Sequence, residues 1–182
     1  MRTCVFGYGS LLNRMSAQNA LKRVLTQEEL LPAELVDFFR VWRAKEFIYF
    51  EAINAKKAGV FLDIKEEKGA RVNGVLIDVT PQELQQMKLR EKNYDCIDVT
   101  KHLRKDGVPD QVFTFVCKPE CHVRPEETNI FVPQGYLDLI KEGCDALGPD
   151  FYSRYLETTE EIHFPIQRGK YLFVDPVQAQ YI

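Results

Sequence analysis

The chain has 182 residues, 45% hydrophobic and 28% charged, and its 24 basic against 27 acidic side chains leave a formal net charge of −3. That length suits one domain over residues 1–182, large enough to bury roughly two-thirds of its unfolded surface. Both signs are interspersed, so there is no basic field for nucleic acid and no charged tail for a membrane surface, which leaves a small molecule as the expected partner.

Five cysteines, an odd number without a paired framework, fit reduced thiols. The apolar stretch near Val5-Phe6 is too short for a signal-peptide core, and no run approaches the ~20 apolar residues that span a bilayer. Together these point to the cytoplasm. Nothing in the sequence bears on oligomeric state.

In chain order, Thr3–Tyr8 predicts a buried first strand that ends in glycines. Ser16–Val24 follows as a helix, with Ala17, Ala20, Leu21 and Val24 at helical spacing. Three β-rich pieces come next, Leu35–Trp42, Phe47–Phe50 and Gly59–Asp63. Glu66-Glu67-Lys68-Gly69 is expected at a hairpin tip, and Arg71–Val79 alternates apolar residues on both faces, as a strand covered on both sides does. Thr80-Pro81-Gln82-Glu83 combines an N-cap threonine, a proline at the first helical position and a glutamate three residues after the cap, so a helix should run from Pro81 to Arg90 or Glu91. Tyr94–Thr100 and Gln111–Cys117 are expected to pair as a hairpin around a turn at Lys105–Pro109. Lys118–Asn129 is a polar loop. A helix opens at Pro133 with Tyr136, Leu137, Ile140, Cys144 and Leu147 on one stripe and stops at Gly148-Pro149. A short helix at Phe151–Leu156 and a strand at Lys170–Val174 complete the order. The class is α+β, a small mixed β-barrel-like sheet with helices packed around it.

Two segments can carry chemistry. At 100° per residue Leu84, Met87, Glu91 and Tyr94 share one sector of the helix that follows Thr80, which puts a carboxylate where the pattern asks for an apolar side chain. Desolvation raises a carboxylate's pKa toward the range useful for proton transfer near neutral pH. The structural alternative is a half-exposed glutamate paired with Arg90 or Lys92. The second segment is Gly7-Tyr8-Gly9-Ser10-Leu11, where glycines allow close backbone approach and successive N–H groups can face an anion. It lacks phosphate-loop spacing, and a tight turn is the structural alternative.

Phe6-Gly7-Tyr8-Gly9-Ser10-Leu11 and the later Leu89-Arg90-Glu91-Lys92-Asn93-Tyr94 together resemble the γ-glutamylcyclotransferase family. So do Val72-Asn73-Gly74-Val75-Leu76 and Pro133-Gln134-Gly135-Tyr136 with Ile140 and Gly143. The resemblance implies a barrel-like sheet with surrounding helices and conversion of a γ-glutamyl compound to 5-oxoproline and a free amine. It also implies Glu91 as acid/base, Tyr8, Gly9, Ser10 and Leu11 as the γ-glutamyl loop, and Tyr94 and Tyr136 as pocket residues. Leu11 in place of asparagine is nearer to the glutathione-degrading branch, and the leaving group stays open among glutathione, γ-glutamyl amino acids and γ-glutamyl amines. The chemistry asks for no metal, nucleotide or other cofactor.

Other readings are a non-catalytic small-molecule-binding protein on the same fold, or an enzyme using Cys117, Cys121 and His122. That C-x-x-x-C-H run supplies at most three ligands and has no second pair at zinc-finger spacing, so a surface loop is expected there and no metal site. Cys4 and Cys96 are expected as small buried hydrophobes. Ser10 lacks a G-x-S-x-G context. The aromatic residues around Trp42 are expected to pack rather than to stack on nucleic-acid bases.

Overall fold

The computed structural model describes residues 2–104 and 109–179. The sequence turns into a mixed, curled sheet flanked by helices, of half-barrel form. Among the described residues nine strands, β1 (Thr3–Gly7), β2 (Leu31–Phe50), β3 (Ala55–Asp78), β4 (Tyr94–Asp98), β5 (Leu103–Arg104), β6 (Gln111–Cys117), β7 (Ile130–Pro133), β8 (Ile166–Gln167) and β9 (Tyr171–Phe173), are ordered β4-β6-β1-β3-β2-β5, with β7 on β3, β8 on β7 and β9 on β2. Strand β1 (Thr3–Gly7) sits between β3, which it meets antiparallel, and β6, which it meets parallel. Both its edges are therefore paired, and Cys4–Gly7 are buried. Among the described residues no helix is long and apolar enough to cross a membrane.

Two long strands organise the sheet. The three expected β-rich pieces belong to β2 (Leu31–Phe50) and β3 (Ala55–Asp78), an antiparallel pair of 20 and 24 residues. The hairpin turn lies at Glu51–Asn54, where Asn54 takes a left-handed φ of 50°. It does not lie at Glu66–Gly69. There β3 bulges instead: the register steps from Phe38↔Glu66 to Val36↔Arg71. Asp37 (φ 64°) and Gly69 (φ 83°) absorb the bend, and the Gly69 N–H donates to Asp37 Oδ1 at 2.9 Å. A bulge carries the same turn residues as a hairpin tip, so composition does not separate the two. A second register shift at Trp42/Ala44 breaks the alternation again, which is why one strand looked like several.

Asn13 caps α1 (Arg14–Leu21), its Oδ1 accepting from the Met15 and Ser16 N–H groups. Lys22, in a left-handed conformation, ends the helix and leaves Val24 exposed, so the expected extension to Val24 does not form. Helix α2 (Pro81–Arg90) follows its cap signal: Thr80 Oγ1 accepts from the Glu83 N–H, while the Thr80 N–H donates to Glu83 Oε2 at 2.7 Å. Residues Val72–Ile77 of β3 are buried on both faces. Strands β4 (Tyr94–Asp98) and β6 (Gln111–Cys117) pair antiparallel as expected. The turn expected at Lys105–Pro109 lies, apart from Pro109, outside the described residues. The short β5 (Leu103–Arg104), on β2, was not expected.

Strand β7 (Ile130–Pro133) runs parallel to β3 and leads through Pro133 into α3 (Gln134–Ala146), which buries Tyr136, Ile140, Gly143 and Cys144. Gly148 (φ 125°) ends that helix. Helix α4 (Phe151–Glu157), β8 (Ile166–Gln167), β9 (Tyr171–Phe173) and the short α5 (Pro176–Ala179) complete the order. Strand β9 pairs with the far end of β2, Tyr49 opposite Leu172. Phe38, Trp42 and Phe50 join the core, whereas Phe47 and Tyr49 stand on the exposed face.

Candidate active site

The segment after β1 is locked in place by close packing. Ser10–Leu12 forms a single 3-10 turn, with the Leu12 N–H donating to Gly9 O at 3.0 Å and Asn13 N–H to Ser10 O at 3.1 Å. Such a turn leaves the N–H groups of Ser10 and Leu11 without an acceptor inside it. Gly9 is required by proximity: a Cβ there would lie 2.9 Å from the Tyr136 hydroxyl. Helix α3 presses on the same turn, and a Cβ on Gly143 would come within 2.5 Å of the Leu12 backbone. Asn13 Nδ2 reaches α3 as well, donating to Leu139 O at 3.3 Å.

Beneath the loop lies Arg40, fully buried on β2. Its Nε donates to the Tyr8 carbonyl at 2.9 Å, Nη2 to the Asn73 carbonyl, and Nη1 to Thr159 Oγ1 at 2.7 Å. The guanidinium also sits over the Tyr155 ring, 4.4 Å from its centroid. Burial pulls its pKa down to about 10, and the guanidinium stays protonated at neutral pH. One buried cation thus ties the loop backbone to β3 and to the end of α4.

Of the residues expected at the site, Tyr8 turns inward and donates from its hydroxyl to Phe115 O at 2.6 Å. Its side chain braces the loop. Burial pushes the hydroxyls of Tyr8, Tyr94 and Tyr136 well above the usual tyrosine range, so all three remain protonated donors. Glu91 caps the C-terminus of α2 (φ −88°, ψ 40°), its N–H donating to Met87 O at 2.8 Å. Met87 is buried and Leu84 half-buried, so the sector predicted to face inward does so, and Glu91 is carried at its end. Glu91 Oε1 lies 3.5 Å from Arg90 Nε, which realises the ion pair foreseen as the structural alternative. Lys92 instead pairs with Asp175.

Two adjoining hollows meet at these residues. The smaller is walled by Phe6–Leu11, Leu62, Glu91, Tyr94, Phe115 and Tyr136. The larger, a cavity of about 550 Å³, extends from there toward β9, α5 and the far end of β2. Ser10, Glu91, Tyr94 and Tyr136 line both. Loop, carboxylate and both tyrosines therefore come together in space, although some eighty residues separate Ser10 from Glu91 in sequence.

The structure adds residues that sequence reasoning missed. Glu46 lies on the inward face of β2, 6% exposed, and lines the larger cavity. Asn93 Nδ2 donates to both its carboxylate oxygens, at 3.0 and 2.8 Å. Burial raises its pKa to about 7, more than the hydrogen bonds from Asn93 and Gln178 lower it, and the charge of Glu91 adds to the rise. The available signal was alternation: Ala44, Glu46, Ile48 and Phe50 share one face. It was masked by the apolar Phe47 and Tyr49 on the other. Arg40 and Gln178 carried no comparable signal.

Cys117, Cys121 and His122 do not form the expected surface loop. Cys117 ends β6, buried, and Cys121 and His122 are half-buried beside it. Asp63, from β3, joins Cys117 and His122 with all three potential donor atoms within 4.8 Å of one another. The Asp63 oxygens are already engaged: Oδ2 accepts from Arg43 Nε at 2.6 Å and Oδ1 from the Cys117 N–H at 2.8 Å. Burial pushes the Cys117 thiol well up, so it remains a thiol at neutral pH. Cys4 is fully buried, as expected, and Cys96 only partly.

Comparison with known proteins places this geometry. A protein titled gamma-glutamyl cyclotransferase is similar over 93% of this chain and 95% of its own, with a TM-score of 0.59 and 16% identity. An uncharacterized protein from Homo sapiens is similar over 92% and 93%, with a TM-score of 0.62 and 18% identity. YkqA from Bacillus subtilis is similar over 91% of this chain and 56% of its own, with a TM-score of 0.55 and 20% identity. At these identities the likeness is one of fold. No curated protein matches the chain. The family described as gamma-glutamyl cyclotransferase, AIG2-like, matches residues 5–138, which include Val5–Gly7 of β1, the glycine loop, Glu91 and Tyr136. The chain belongs to the gamma-glutamyl cyclotransferase, AIG2-like family.

Proposed function

We propose that the protein converts a γ-glutamyl peptide, amino acid or amine into 5-oxoproline and a free amine, with Glu91 as general acid/base. The observation that supports this best is the junction: Ser10, Glu91, Tyr94 and Tyr136 border both hollows. On this reading the γ-glutamyl group rests against Tyr8–Leu11, the leaving group extends into the larger cavity, and the bond to be cut lies beside Glu91.

The substrate carries its own nucleophile. Its α-amino nitrogen and γ-carbonyl carbon are on one chain, and a site that bends them together gains rate from proximity. The α-amine is mostly protonated near pH 7. Glu91 takes a proton from it, and the free amine attacks the γ-carbonyl carbon to give a five-membered cyclic tetrahedral intermediate. Glu91 gives that proton to the leaving nitrogen, the bond from the carbonyl carbon to that nitrogen breaks, and the ring nitrogen's second proton passes through Glu91 to the expelled amine, which leaves as an ammonium beside the neutral lactam. The open N–H groups of Ser10 and Leu11 take an anionic oxygen of the substrate, while the protonated Tyr136 hydroxyl lies against the same turn. The buried Arg40 adds positive potential beneath the loop, which favours an anion above it.

The test is to incubate the pure protein with a panel of γ-glutamyl compounds, namely glutathione, γ-glutamyl amino acids and γ-glutamyl amines, and to measure 5-oxoproline. Turnover of at least one member is expected. Binding of panel members without any 5-oxoproline would replace this reading with a non-catalytic binding protein.

A further inference from the structure

The larger cavity holds a buried carboxyl group, Glu46, for which the proposed chemistry has no assigned use. Glu46 is where three separate elements meet. It stands on β2, both its oxygens accept from Asn93 in the turn that follows α2, and Gln178 of α5 lines the same cavity. The turn it grips carries Glu91: the Tyr94 N–H donates to Glu91 O at 2.8 Å, and the Lys118 N–H donates to Asn93 O at 3.0 Å. Two further tethers on this turn, Lys92 to Asp175 and Lys118 Nζ to Lys92 O, involve exposed side chains. The Glu46–Asn93 contact is the shielded one, and shielding strengthens a charge-assisted hydrogen bond.

We propose that Glu46 is a positioning residue for Glu91, holding the Glu91–Asn93 turn through Asn93 and acting on the Glu91 carboxylate by its charge across the shared cavity. The proposal rests on the reading of Glu91 as the proton carrier. Among the groups near Glu46 are Glu91 from the end of α2, Tyr94 from β4, Cys117 at the end of β6, Cys121 beyond it, and Asp175 before α5. The cations Arg90, at the end of α2, and Lys170, before β9, line the same cavity; burial first, then the charges of Glu91 and Asp175, hold Glu46 at a pKa of about 7 against the lowering by its hydrogen bond from Asn93. Near neutral pH Glu46 changes its charge, and a charge in this cavity acts on the carboxylate that shares it.

The test compares wild type with Glu46→Gln, which keeps an acceptor for Asn93 but cannot ionise, and with Asn93→Ala, which cuts the tether but leaves the charge. In protein labelled with 13C at the glutamate carboxyl carbons, the Glu91 signal is expected to inflect at the pH where Glu46 titrates. That inflection persists in Asn93→Ala and disappears in Glu46→Gln. With a substrate from the panel, each variant is expected to lower kcat by about tenfold with little change in KM, and only Glu46→Gln moves the acidic limb of the pH profile, to lower pH. A Glu91 signal blind to the titration of Glu46, or a Glu46→Gln pH profile superimposable on wild type, overturns the proposal. The NMR arm needs no turnover: coupling without any 5-oxoproline supports the link between the two carboxyl groups and refutes the cyclotransfer reading instead.

Discussion

The two ends of the site are built differently. At the loop end the contacts are backbone-deep: Gly9 against the Tyr136 hydroxyl, Gly143 against Leu12, and the Arg40 guanidinium on the Tyr8 carbonyl. The far end of the larger cavity is made of side chains on short pieces, among them Glu51, Lys170, Leu172 and Gln178. Close packing leaves one arrangement available, whereas long side chains on short elements can change identity without disturbing the sheet. On the proposed reading the rigid end takes the γ-glutamyl group, which every substrate shares, and the adaptable end takes the leaving group, which differs among them.

Removing the buried cation strains this comparison most. Arg40→Met leaves the Tyr8 and Asn73 carbonyls without their donor, and a loss of about 3–5 kcal/mol is expected in a denaturant titration. A loss below 1 kcal/mol would mean that the loop does not depend on Arg40. The Glu46 carboxyl adds a pH signature. Its folded pKa, about 7, lies above the ordinary 4.5, so its contribution to stability is fully present below about pH 4.5 and is lost as pH rises through 7. The expected decline is about 3 kcal/mol at most, and it should flatten in Glu46→Gln when unfolding is followed from pH 4 to 8. Gly143→Ala forces a methyl into the Leu12 backbone 2.5 Å away. It should cost about 1–3 kcal/mol and lower activity along with stability, since the displaced turn carries Ser10. The smallest effect belongs to Thr80→Ala, which removes the cap of α2 and should cost about 1 kcal/mol without altering the pH profile of activity.

The legible parts of the sequence were those where local chemistry decides the outcome. Thr80-Pro81-Gln82-Glu83 announced α2 because a cap is a contact between near neighbours, and Phe6–Leu11 announced a turn because glycines permit one. Glu91 stood out as a candidate because the helical period carries it to the end of the core-facing stripe, where it caps α2. The hairpin turn was misplaced, since Asp37 and Gly69 form a bulge from the residues that otherwise form a tip. Arg40 and Glu46 stayed hidden because their partners are distant in sequence: Asn73, Tyr155 and Thr159 for the first, Asn93 and Gln178 for the second. Register shifts between them obscured the face on which each side chain lies.

The central claim is that Glu91 carries the proton. It is tested most directly by measuring 5-oxoproline formation by Glu91→Gln, with substrate binding followed in parallel. The account predicts a fall in kcat of about 10²–10⁴-fold while the folded protein still binds the γ-glutamyl compound. Turnover equal to wild type would contradict it.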